Sequence, residues 1–374
     1  MRIAILTSVF MPEFGVARVI ASQLPYLVKA GLNIDLYACE LDSKMLCDGV
    51  YAVRVPTHLR HLRSALIHGH YDVIIAHTDP FYRFLAECNC GAKTIGFEHG
   101  YPPVDLCPIE EREIRLKEIG DRLGEIYPAL TRVVTISHYG AEYLKWPTAD
   151  IIYNGADHYE KNYGAKSKDN SGAIKLLAVT RYRKGEWKYK GLESIIRLKK
   201  DLGDRCEITV VGRGDEESRK ALLNAGIKIA GMVSDEELAL YYSSSDALVS
   251  FSQWELFNLP LAEAGFAHTP ALALNVCAHP EVTPFVFSSY EGVRDYLMQS
   301  TKGSLRLDGE KMYGFVSSRF RWEQNVQSLL EVIKSVAPES NNKRASLFKS
   351  LIWLFWNTRE SLRQKIYKKW VKKS

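Results

Sequence analysis

The strongest constraint on the fold is a repeated alternation between short apolar runs, rich in β-branched residues, and longer stretches of helical period. In the first 160 residues the runs are Ile3–Leu6, Ile34–Ala38, Val73–Ala76, Thr94–Phe97, Val133–Ile136 and Ile151–Tyr153. Between the first two runs, four apolar residues are spaced for one buried helix face: Val19, Leu24, Leu27 and Val28. Gly31 follows as a helix C-cap. Strands without a polar face of their own, alternating with helices, predict a parallel sheet covered on both sides.

The same rhythm restarts after a polar stretch, Tyr159 to Gly172, which has no periodic signal and is typical of a linker. The later strands are predicted at Leu176–Val179, Ile208–Val211, Ile227–Ala230, Ala247–Ser250 and Ala271–Leu274, with helices at Asp235–Tyr242 and Leu261–Phe266. A chain of 374 residues is long enough for two domains with cores of their own. We therefore predict two Rossmann-like α/β domains facing one another across a cleft, where open parallel sheets bind ligands.

Composition excludes several other classes of protein. The hydrophobic share of 46% and the charged share of 25% are those of a folded protein, not of a disordered one. The longest apolar runs fall well below the ~20 residues that a bilayer span needs, so no transmembrane helix is expected. The start, Met1 to Leu6, is interpreted as a buried strand and not as a signal peptide, because no small-residue cleavage site follows it. These features favour a cytoplasmic protein.

The cysteines favour neither disulfides nor a metal site. Seven cysteines at irregular spacing do not suit a secreted disulfide framework. Cys88 and Cys90, with His99 and Cys107 beyond them, are the only set that hints at zinc. No second paired motif accompanies them, so no metal is predicted.

Two positively charged residues open the second half. Arg181 follows the strand Leu176–Val179, and Lys190 precedes Gly191 at the start of the next helix. Cations held near the carboxyl end of a strand suit a pyrophosphate, although a solvated basic loop would give the same pattern. Gly15, before the first helix, suits an anion at a helix N-terminus or a plain tight turn.

The most specific local signal is a pair of acids, Glu255 and Glu263, after the strand Ala247–Ser250. A turn holding the first acid and a helix starting near Leu259 would let both carboxylates approach one ligand. Carboxylates accept hydrogen bonds from the vicinal hydroxyls of a sugar or ribose. Two surface acids near a helix start would be the plain alternative.

The order of these features resembles that of the retaining glycosyltransferases of family 4, within the group 1 glycosyl transferases, over roughly the first 335 residues. The matching residues are Gly15, His99 in Glu98-His99-Gly100, Asn154-Gly155, Arg181, Lys190-Gly191, and Glu255 with Glu263. The chain differs from the family pattern in having Val16 after Gly15, Asn258 for the usual glycine, and His268 where a small residue is common. The spacing from Arg181 to Lys190 is also longer than usual.

The resemblance implies a GT-B fold and a role for each matched residue. Arg181 and Lys190 would hold the diphosphate of a nucleotide-sugar donor. Glu263 would hold the ribose and Glu255 the transferred sugar, with His99 as the active-site histidine. Further donor contacts would come from the backbone of Leu256, Phe257 and Asn258, and from Met232 and Val233 against the nucleobase.

The implied domains are an acceptor-side domain at 1–160, a nucleotide-sugar-binding domain at 173–321 and a closing helix at 322–337. The implied activity is retaining transfer from a GDP- or UDP-linked sugar to a glycan or a lipid-linked saccharide. No Asp-x-Asp occurs, so neither a metal nor a cofactor is expected, the sugar nucleotide being a substrate. Two alternative functions are a non-catalytic subunit with the same fold and a nicotinamide oxidoreductase. The second would need a G-x-G-x-x-G fingerprint, which this sequence lacks.

The positive charge of the chain is confined to its last segment. Residues 341–374 hold ten lysines and arginines against one acid, Glu360, whereas residues 1–340 hold 39 against 43. In 339–374, Trp, Leu and Ile residues recur at helical spacing among these cations, which predicts a basic amphipathic helical tail. We expect it to bind an anionic membrane surface, at the inner face of the cell membrane, and not nucleic acid; a helix packed on the enzyme is the alternative.

Overall fold

The computed structural model describes residues 1–55, 59–162 and 172–336. The predicted basic tail at 339–374 and most of the predicted linker lie outside these ranges. The first four residues of that linker, Tyr159 to Asn162, belong instead to a 3-10 helix, Asp157–Asn162. Tyr159 is buried there at 3% exposure, so this part of the segment is not the solvated linker that its polarity predicted.

The first sheet contains seven parallel strands in the order β3-β2-β1-β4-β5-β6-β7. They are β1 (Arg2–Phe10), β2 (Asn33–Leu41), β3 (Val50–Arg54), β4 (Val73–Ala76), β5 (Lys93–Glu98), β6 (Arg132–Thr135) and β7 (Asp150–Ile151). The α-helices are α1 (Gly15–Lys29), α2 (Arg60–Gly69), α3 (Phe81–Glu87), α4 (Ile109–Asp121), α5 (Tyr127–Ala129) and α6 (His138–Tyr143). A π-helical segment, Arg122–Ile126, joins α4 to α5.

The second sheet contains six parallel strands in the order β10-β9-β8-β11-β12-β13. They are β8 (Ile174–Val179), β9 (Cys206–Val211), β10 (Lys228–Gly231), β11 (Ala247–Ser250), β12 (Ala271–Leu274) and β13 (Val286–Phe287). Its α-helices are α7 (Leu192–Leu202), α8 (Glu216–Asn224), α9 (Asp235–Ser244), α10 (Leu259–Phe266), α11 (His279–Val282), α12 (Tyr290–Gln299), α13 (Lys302–Ser317) and α14 (Trp322–Val336).

Burial explains why the apolar runs predicted these strands. All four residues of β4 and of β12 are buried, as expected for parallel strands covered by helices on both faces. The two strands missed in the sequence, β3 and β13, are edge strands whose residues are partly or fully exposed. The fold prediction of two Rossmann-like domains is confirmed.

Strand order reverses between β1 and β4 in the first sheet and between β8 and β11 in the second. The loops leaving adjacent strands diverge at such a point and leave a crevice at the carboxyl ends. His77 and His99 follow β4 and β5, whereas Arg181 and Glu255 follow β8 and β11. The predicted site residues therefore occupy the loops that the topology makes available for a ligand.

The last described helix, α14, returns from the second domain and packs against α1 of the first. A buried side-chain hydrogen bond joins them, from Gln23 Nε2 to Asn325 Oδ1 at 2.9 Å. The same Asn325 donates to the carbonyl oxygen of Tyr153 at 2.7 Å, on the segment that leaves the first sheet. The two passages of the chain between the domains, the segment at Tyr153 and α14, thus lie side by side, and Asn325 of α14 is hydrogen bonded both to that segment and to α1.

Within residues 1–55, 59–162 and 172–336, no helix is both long enough and apolar enough to cross a bilayer.

We predict that Gly155→Ala destabilises the contact between the two passages. A Cβ at Gly155 would lie 2.6 Å from the backbone nitrogen of Trp322 and would also overlap the indole ring, so the start of α14 must move. Overpacking of this kind costs about 1–3 kcal/mol, which thermal or urea unfolding would detect.

Gly185→Ala is the matched control, because a Cβ there meets nothing within 4 Å. Equal stability of the two variants would contradict the tight packing at Gly155.

Candidate active site

The centre of the site is an ion pair between two residues predicted to bind the donor. Lys190 Nζ lies 2.6 Å from Glu255 Oε1, and their side chains are 13% and 19% exposed. Gly191, the N-cap of α7, sits against the chain after β11: a Cβ there would lie 2.6 Å from the carbonyl carbon of Phe251. With φ at 69°, this position also favours glycine. The close approach brings Lys190 to Glu255.

The Glu255 carboxylate is held ionised by its partners. Burial alone would raise its pKa, but the ammonium of Lys190, His279 and the hydroxyl of Ser252 together hold the pKa below the ordinary value. Ser252 Oγ donates to Glu255 Oε1 at 2.9 Å. The backbone N–H of Glu255 donates to Cys277 Sγ at 3.2 Å, and burial, with the carboxylate, raises the pKa of this thiol to about 12.

Arg181 is less confined than Lys190. Its side chain is 51% exposed, and its guanidinium lies 2.8 Å from Glu186 Oε1 and donates to the hydroxyl of Tyr189 at 3.1 Å. The ammonium of Lys190 lies 5.2 Å from the centroid of the same tyrosine ring. The long spacing from Arg181 to Lys190 is taken up by a short 3-10 helix, Lys184–Glu186, so that both cations contact Tyr189.

Backbone N–H groups are available directly after Glu255. Those of Leu256, Phe257 and Asn258 donate to no group among the described residues. Asn258 is the N-cap of α10 with φ at 66°, a conformation in which glycine is usual and asparagine is tolerated best among other residues. Its side-chain amide donates to Ser250 Oγ at 3.1 Å and lies 3.0 Å from His279 Nε2, which fixes the turn.

The second acid, Glu263, lies in a separate hydrogen-bond network. Its side chain is 5% exposed; Tyr242 donates its hydroxyl to Oε2 at 2.5 Å, and His158 Nε2 lies 3.1 Å from Oε1. Burial would raise the pKa of Glu263, but His158, Arg18 and Tyr242 hold it below the ordinary value. Glu255 and Glu263 therefore have different protein partners, where the sequence predicted only that both would face one ligand.

The tautomer of His158 follows from its other contact. The indole Nε1 of Trp322 donates to His158 Nδ1 at 3.1 Å, and an indole N–H can only donate. In its neutral form His158 therefore carries its proton on Nε2, which lies 3.1 Å from Glu263 Oε1 without the geometry of a hydrogen bond. His158 was not predicted, because a histidine within a polar segment has no sequence signal of its own.

His99 lies at the carboxyl end of β5, opposite the Glu255 turn. Its neighbour Gly100, with φ at 89°, has no room for a Cβ, which would lie 2.6 Å from Leu256 Cγ and 3.1 Å from the Trp254 ring. The first domain thus contacts the loop that carries Glu255. His77, which follows β4, places Nδ1 at 2.9 Å from His99 Nε2.

The first domain also contacts the second near Gly15, in the loop between β1 and α1. Gly15 begins α1, whose N-cap, Phe14, provides no side-chain cap, and a Cβ at Gly15 would meet nothing within 4 Å. One turn further on, Arg18 makes two hydrogen bonds to Asp235 of α9, at 2.7 and 3.1 Å. Met232, predicted to face a nucleobase, is 57% exposed in the loop before α9.

Val233, next to Met232, is partly buried against the core.

The histidine at position 268, where a small residue was expected, has φ at 51° and stacks on Tyr313 with ring centroids 4.1 Å apart. The cysteines and His99 that hinted at zinc do not come together: no cluster of three metal-binding side chains occurs in the described part of the chain.

Sequence reasoning also missed Glu281, which joins the domains at the other side of the cleft. Its carboxylate accepts hydrogen bonds from the backbone N–H groups of His138 and Tyr139, at 2.9 and 2.8 Å, and from the hydroxyl of Tyr153 at 2.6 Å. The uncapped N–H groups at the start of α6 are satisfied by a carboxylate from the second domain. In the sequence, only the position of Glu281 shortly after the strand Ala271–Leu274 could have indicated a role at the cleft.

We predict that Lys190→Met destabilises the protein at neutral pH because it leaves Glu255 buried without its cation. The cost should be about 3 kcal/mol, and Lys190→Met with Glu255→Gln should recover most of it. In the single variant burial is no longer opposed by the ammonium of Lys190, so the pKa of Glu255 rises and the carboxyl becomes protonated as the pH falls. The gap between the two variants should therefore narrow towards acid pH, as measured by urea unfolding from pH 7 to pH 4.

In the wild type the pKa of Glu255 is lowered, not raised, so its effect on stability has the opposite dependence on pH. The depressed pKa of Glu255 contributes stability above the ordinary carboxyl pKa, and this stability is lost as the pH falls through the folded-state value. A gap that does not change with pH would contradict a buried, ionised Glu255.

Comparison with known proteins agrees with this architecture. Residues 161–284 match the family described as glycosyl transferases group 1. An uncharacterised 41.2 kDa protein in the cps region of Klebsiella pneumoniae is 25% identical over 171 residues, which is 43% of this chain and 46% of that relative. The matched stretch thus spans about half the length of each protein.

Two solved structures show the fold over most of the chain. HepE of Anabaena in complex with UDP-glucose superposes with a TM-score of 0.71 at 15% identity, covering 90% of this chain and 100% of that one. WaaG, a glycosyltransferase involved in lipopolysaccharide biosynthesis, gives a TM-score of 0.61 at 15% identity, covering 88% and 99%. The fold prediction is confirmed: the chain has a GT-B fold, and its residues 161–284 match the group 1 family that the sequence resembles.

Proposed function

We propose that the protein is a retaining glycosyltransferase that moves a sugar from a nucleotide-diphosphate donor to a glycan or a lipid-linked saccharide. The observation that carries this proposal is the Lys190–Glu255 ion pair beside the backbone N–H groups of Leu256, Phe257 and Asn258, which have no acceptor within the described part of the chain. Cation and N–H groups suit a diphosphate, and the carboxylate suits sugar hydroxyls.

Transfer would break the bond between the anomeric carbon and the diphosphate oxygen and form one to an acceptor hydroxyl oxygen. The acceptor proton goes to the departing phosphate on the same face of the sugar, which retains the anomeric configuration. Lys190 and Arg181 stabilise the charge that develops on the leaving group, commonly the largest contribution to such catalysis. Lys190 must turn from Glu255 towards the diphosphate, and sugar hydroxyls then replace it as partners of the carboxylate.

Metal independence is part of this proposal. The sequence contains no Asp-x-Asp motif, and the two cations that contact Tyr189 would neutralise the diphosphate in place of a metal. Glu263 is proposed to hold the ribose: Tyr242 donates to Oε2, His158 Nε2 lies 3.1 Å from Oε1, and each oxygen keeps a lone pair for a hydroxyl.

The donor and acceptor classes are supported by the similar proteins. HepE has been crystallised with UDP-glucose, which favours a UDP-linked donor, with GDP-linked sugars as the alternative. WaaG is involved in lipopolysaccharide biosynthesis, which favours a saccharide acceptor. A subunit that binds a sugar nucleotide without catalysis would share the fold and is distinguished by product formation.

We predict turnover of one class of nucleotide sugar in the presence of a chelator. Purified protein is incubated with UDP- and GDP-linked sugars and lipid-linked saccharide acceptors, and release of the nucleoside diphosphate is measured with and without EDTA. The rate should be unchanged by EDTA, because Lys190 and Arg181 replace the metal. The anomeric coupling constant of the product, read by NMR, should match that of the donor.

Glu255→Gln is the matched variant for this assay, since it keeps the shape of the side chain and removes the charge. It should lower kcat/KM by about tenfold or more through lost hydrogen bonds to the sugar. Loss of turnover with EDTA and its recovery with Mg²⁺ or Mn²⁺ would overturn metal independence, and nucleotide binding without product would favour the non-catalytic alternative.

The sequence also supports a peripheral position at an anionic membrane surface, on the inner face of the cell membrane. Ten lysines and arginines in 341–374 accompany Trp353, Trp356 and Trp370. Each cation near an anionic surface adds about 1 kcal/mol, and tryptophan favours the interface. A protein held at the membrane would meet a lipid-linked acceptor directly.

Flotation with liposomes tests this position. We predict that the full chain floats with anionic vesicles, that rising salt weakens binding, and that a chain ending at Pro338 stays in the soluble fraction. Neutral vesicles are the control. Equal binding by the truncated chain would place the membrane contact elsewhere.

A further inference from the structure

The two histidines at the ends of β4 and β5 form one unit. Ala76 and Gly96 pair in the parallel register of these strands, so that His77 and His99 leave the sheet side by side. Besides the 2.9 Å contact between His77 Nδ1 and His99 Nε2, their rings stack with centroids 5.2 Å apart, and both stack on Phe97. The contact is therefore between two rings in a fixed orientation.

Both rings are neutral. Burial lowers the pKa of His99 to about 3, and burial with the neighbouring His99 lowers the pKa of His77 well below its usual range. A neutral pair shares one proton between the two facing nitrogens. The unshared nitrogens are His77 Nε2, which is buried without a partner, and His99 Nδ1, which has no partner among the described residues on a partly exposed side chain.

The environment of His77 Nε2 decides which ring donates. If His99 donated, His77 would carry its proton on Nε2, leaving a buried N–H without an acceptor. If His77 donates from Nδ1, its Nε2 is a bare acceptor instead. Orphaned buried N–H groups are rarer in proteins than acceptors that lack a partner. The second arrangement is favoured, and it puts the remaining proton of His99 on Nδ1.

We infer that His77 is a positioning residue that holds His99 in the tautomer with its proton on Nδ1. The accessible nitrogen of His99 then donates a hydrogen bond, and it does not act as a base. An oxygen of the transferred sugar or of its acceptor is the group this nitrogen would meet. This last step rests on the proposed glycosyl transfer, whereas the tautomer does not.

The surroundings keep His77 in place for this role. Its ring is 1% exposed, its backbone N–H donates to Leu6 O at 2.9 Å, and Tyr82 donates its hydroxyl to the His77 carbonyl at 2.5 Å. Arg122 joins the two strand ends through Glu98 at 2.5 Å and through Asp79. The backbone of His77 is therefore held by residues other than His99, while its ring is held by stacking on Phe97.

The tautomer is read directly by NMR of protein labelled with ¹⁵N-histidine. In the wild type, His99 Nδ1 should show the chemical shift of a protonated nitrogen and Nε2 that of an acceptor, unchanged from pH 8 to pH 5. A proton on His99 Nε2 would overturn the inference. The result does not depend on turnover, so an inactive protein with this tautomer would count against the proposed function alone.

Two substitutions separate positioning from packing. His77→Phe keeps a ring on Phe97 without a donor, whereas the amide nitrogen of His77→Asn takes the place of Nδ1. We expect His77→Phe to lower kcat about tenfold with little change in KM, and His77→Asn to keep kcat within about threefold of the wild type. Thermal unfolding shows whether each variant is folded.

His77→Phe should also release His99 into a mixture of tautomers in the NMR experiment. Equal kcat for the two folded variants, or an unchanged His99 tautomer in His77→Phe, would overturn the role of His77.

Discussion

The structure depends on how the chain crosses between its two sheets. The side-chain amide of Asn325 in α14 makes two hydrogen bonds: its oxygen accepts from Gln23 of α1, and its nitrogen donates to the carbonyl of Tyr153. A buried amide with both ends engaged has one favourable orientation, so the helix, the outgoing segment and the first domain are held in one register. Arg321 adds two hydrogen bonds to Glu160, at 2.8 and 2.9 Å. These contacts set the placement of the sheets from which the cleft is built.

The cleft is then bordered by charged contacts between the domains. Arg18 meets Asp235 on the side of α1, and Glu281 caps α6 on the side of β6. Glu281 lies at a helix N-terminus, where the helix dipole favours negative charge. His99, Gly100 and the Glu255 turn are placed by packing, with the first domain against the loop of the second. The charged contacts that border the cleft thus come from residues with no proposed role in the chemistry.

Much of this could be predicted from sequence because buried parallel strands are continuous apolar runs. β4, β11 and β12 have the predicted bounds, and the helix carrying Glu263 begins at Leu259, as expected. The edge strands β3 and β13 were missed because exposure removes the apolar pattern. Contacts between distant segments, such as His158 with Glu263, were also missed, since spacing along the chain says nothing about pairs more than 100 residues apart.

The Lys190–Glu255 pair has a consequence for the exit of the spent nucleotide under the proposed function. A bound nucleotide sugar draws Lys190 to its diphosphate and offers Glu255 hydroxyl donors in exchange. After transfer the sugar is gone, and a nucleoside diphosphate that kept Lys190 would leave a buried carboxylate without its cation, which is costly. Re-forming the 2.6 Å ion pair removes that cost and expels the nucleotide. Lys190 and Glu255 would thus favour binding of the nucleotide sugar over binding of the nucleoside diphosphate that remains after transfer.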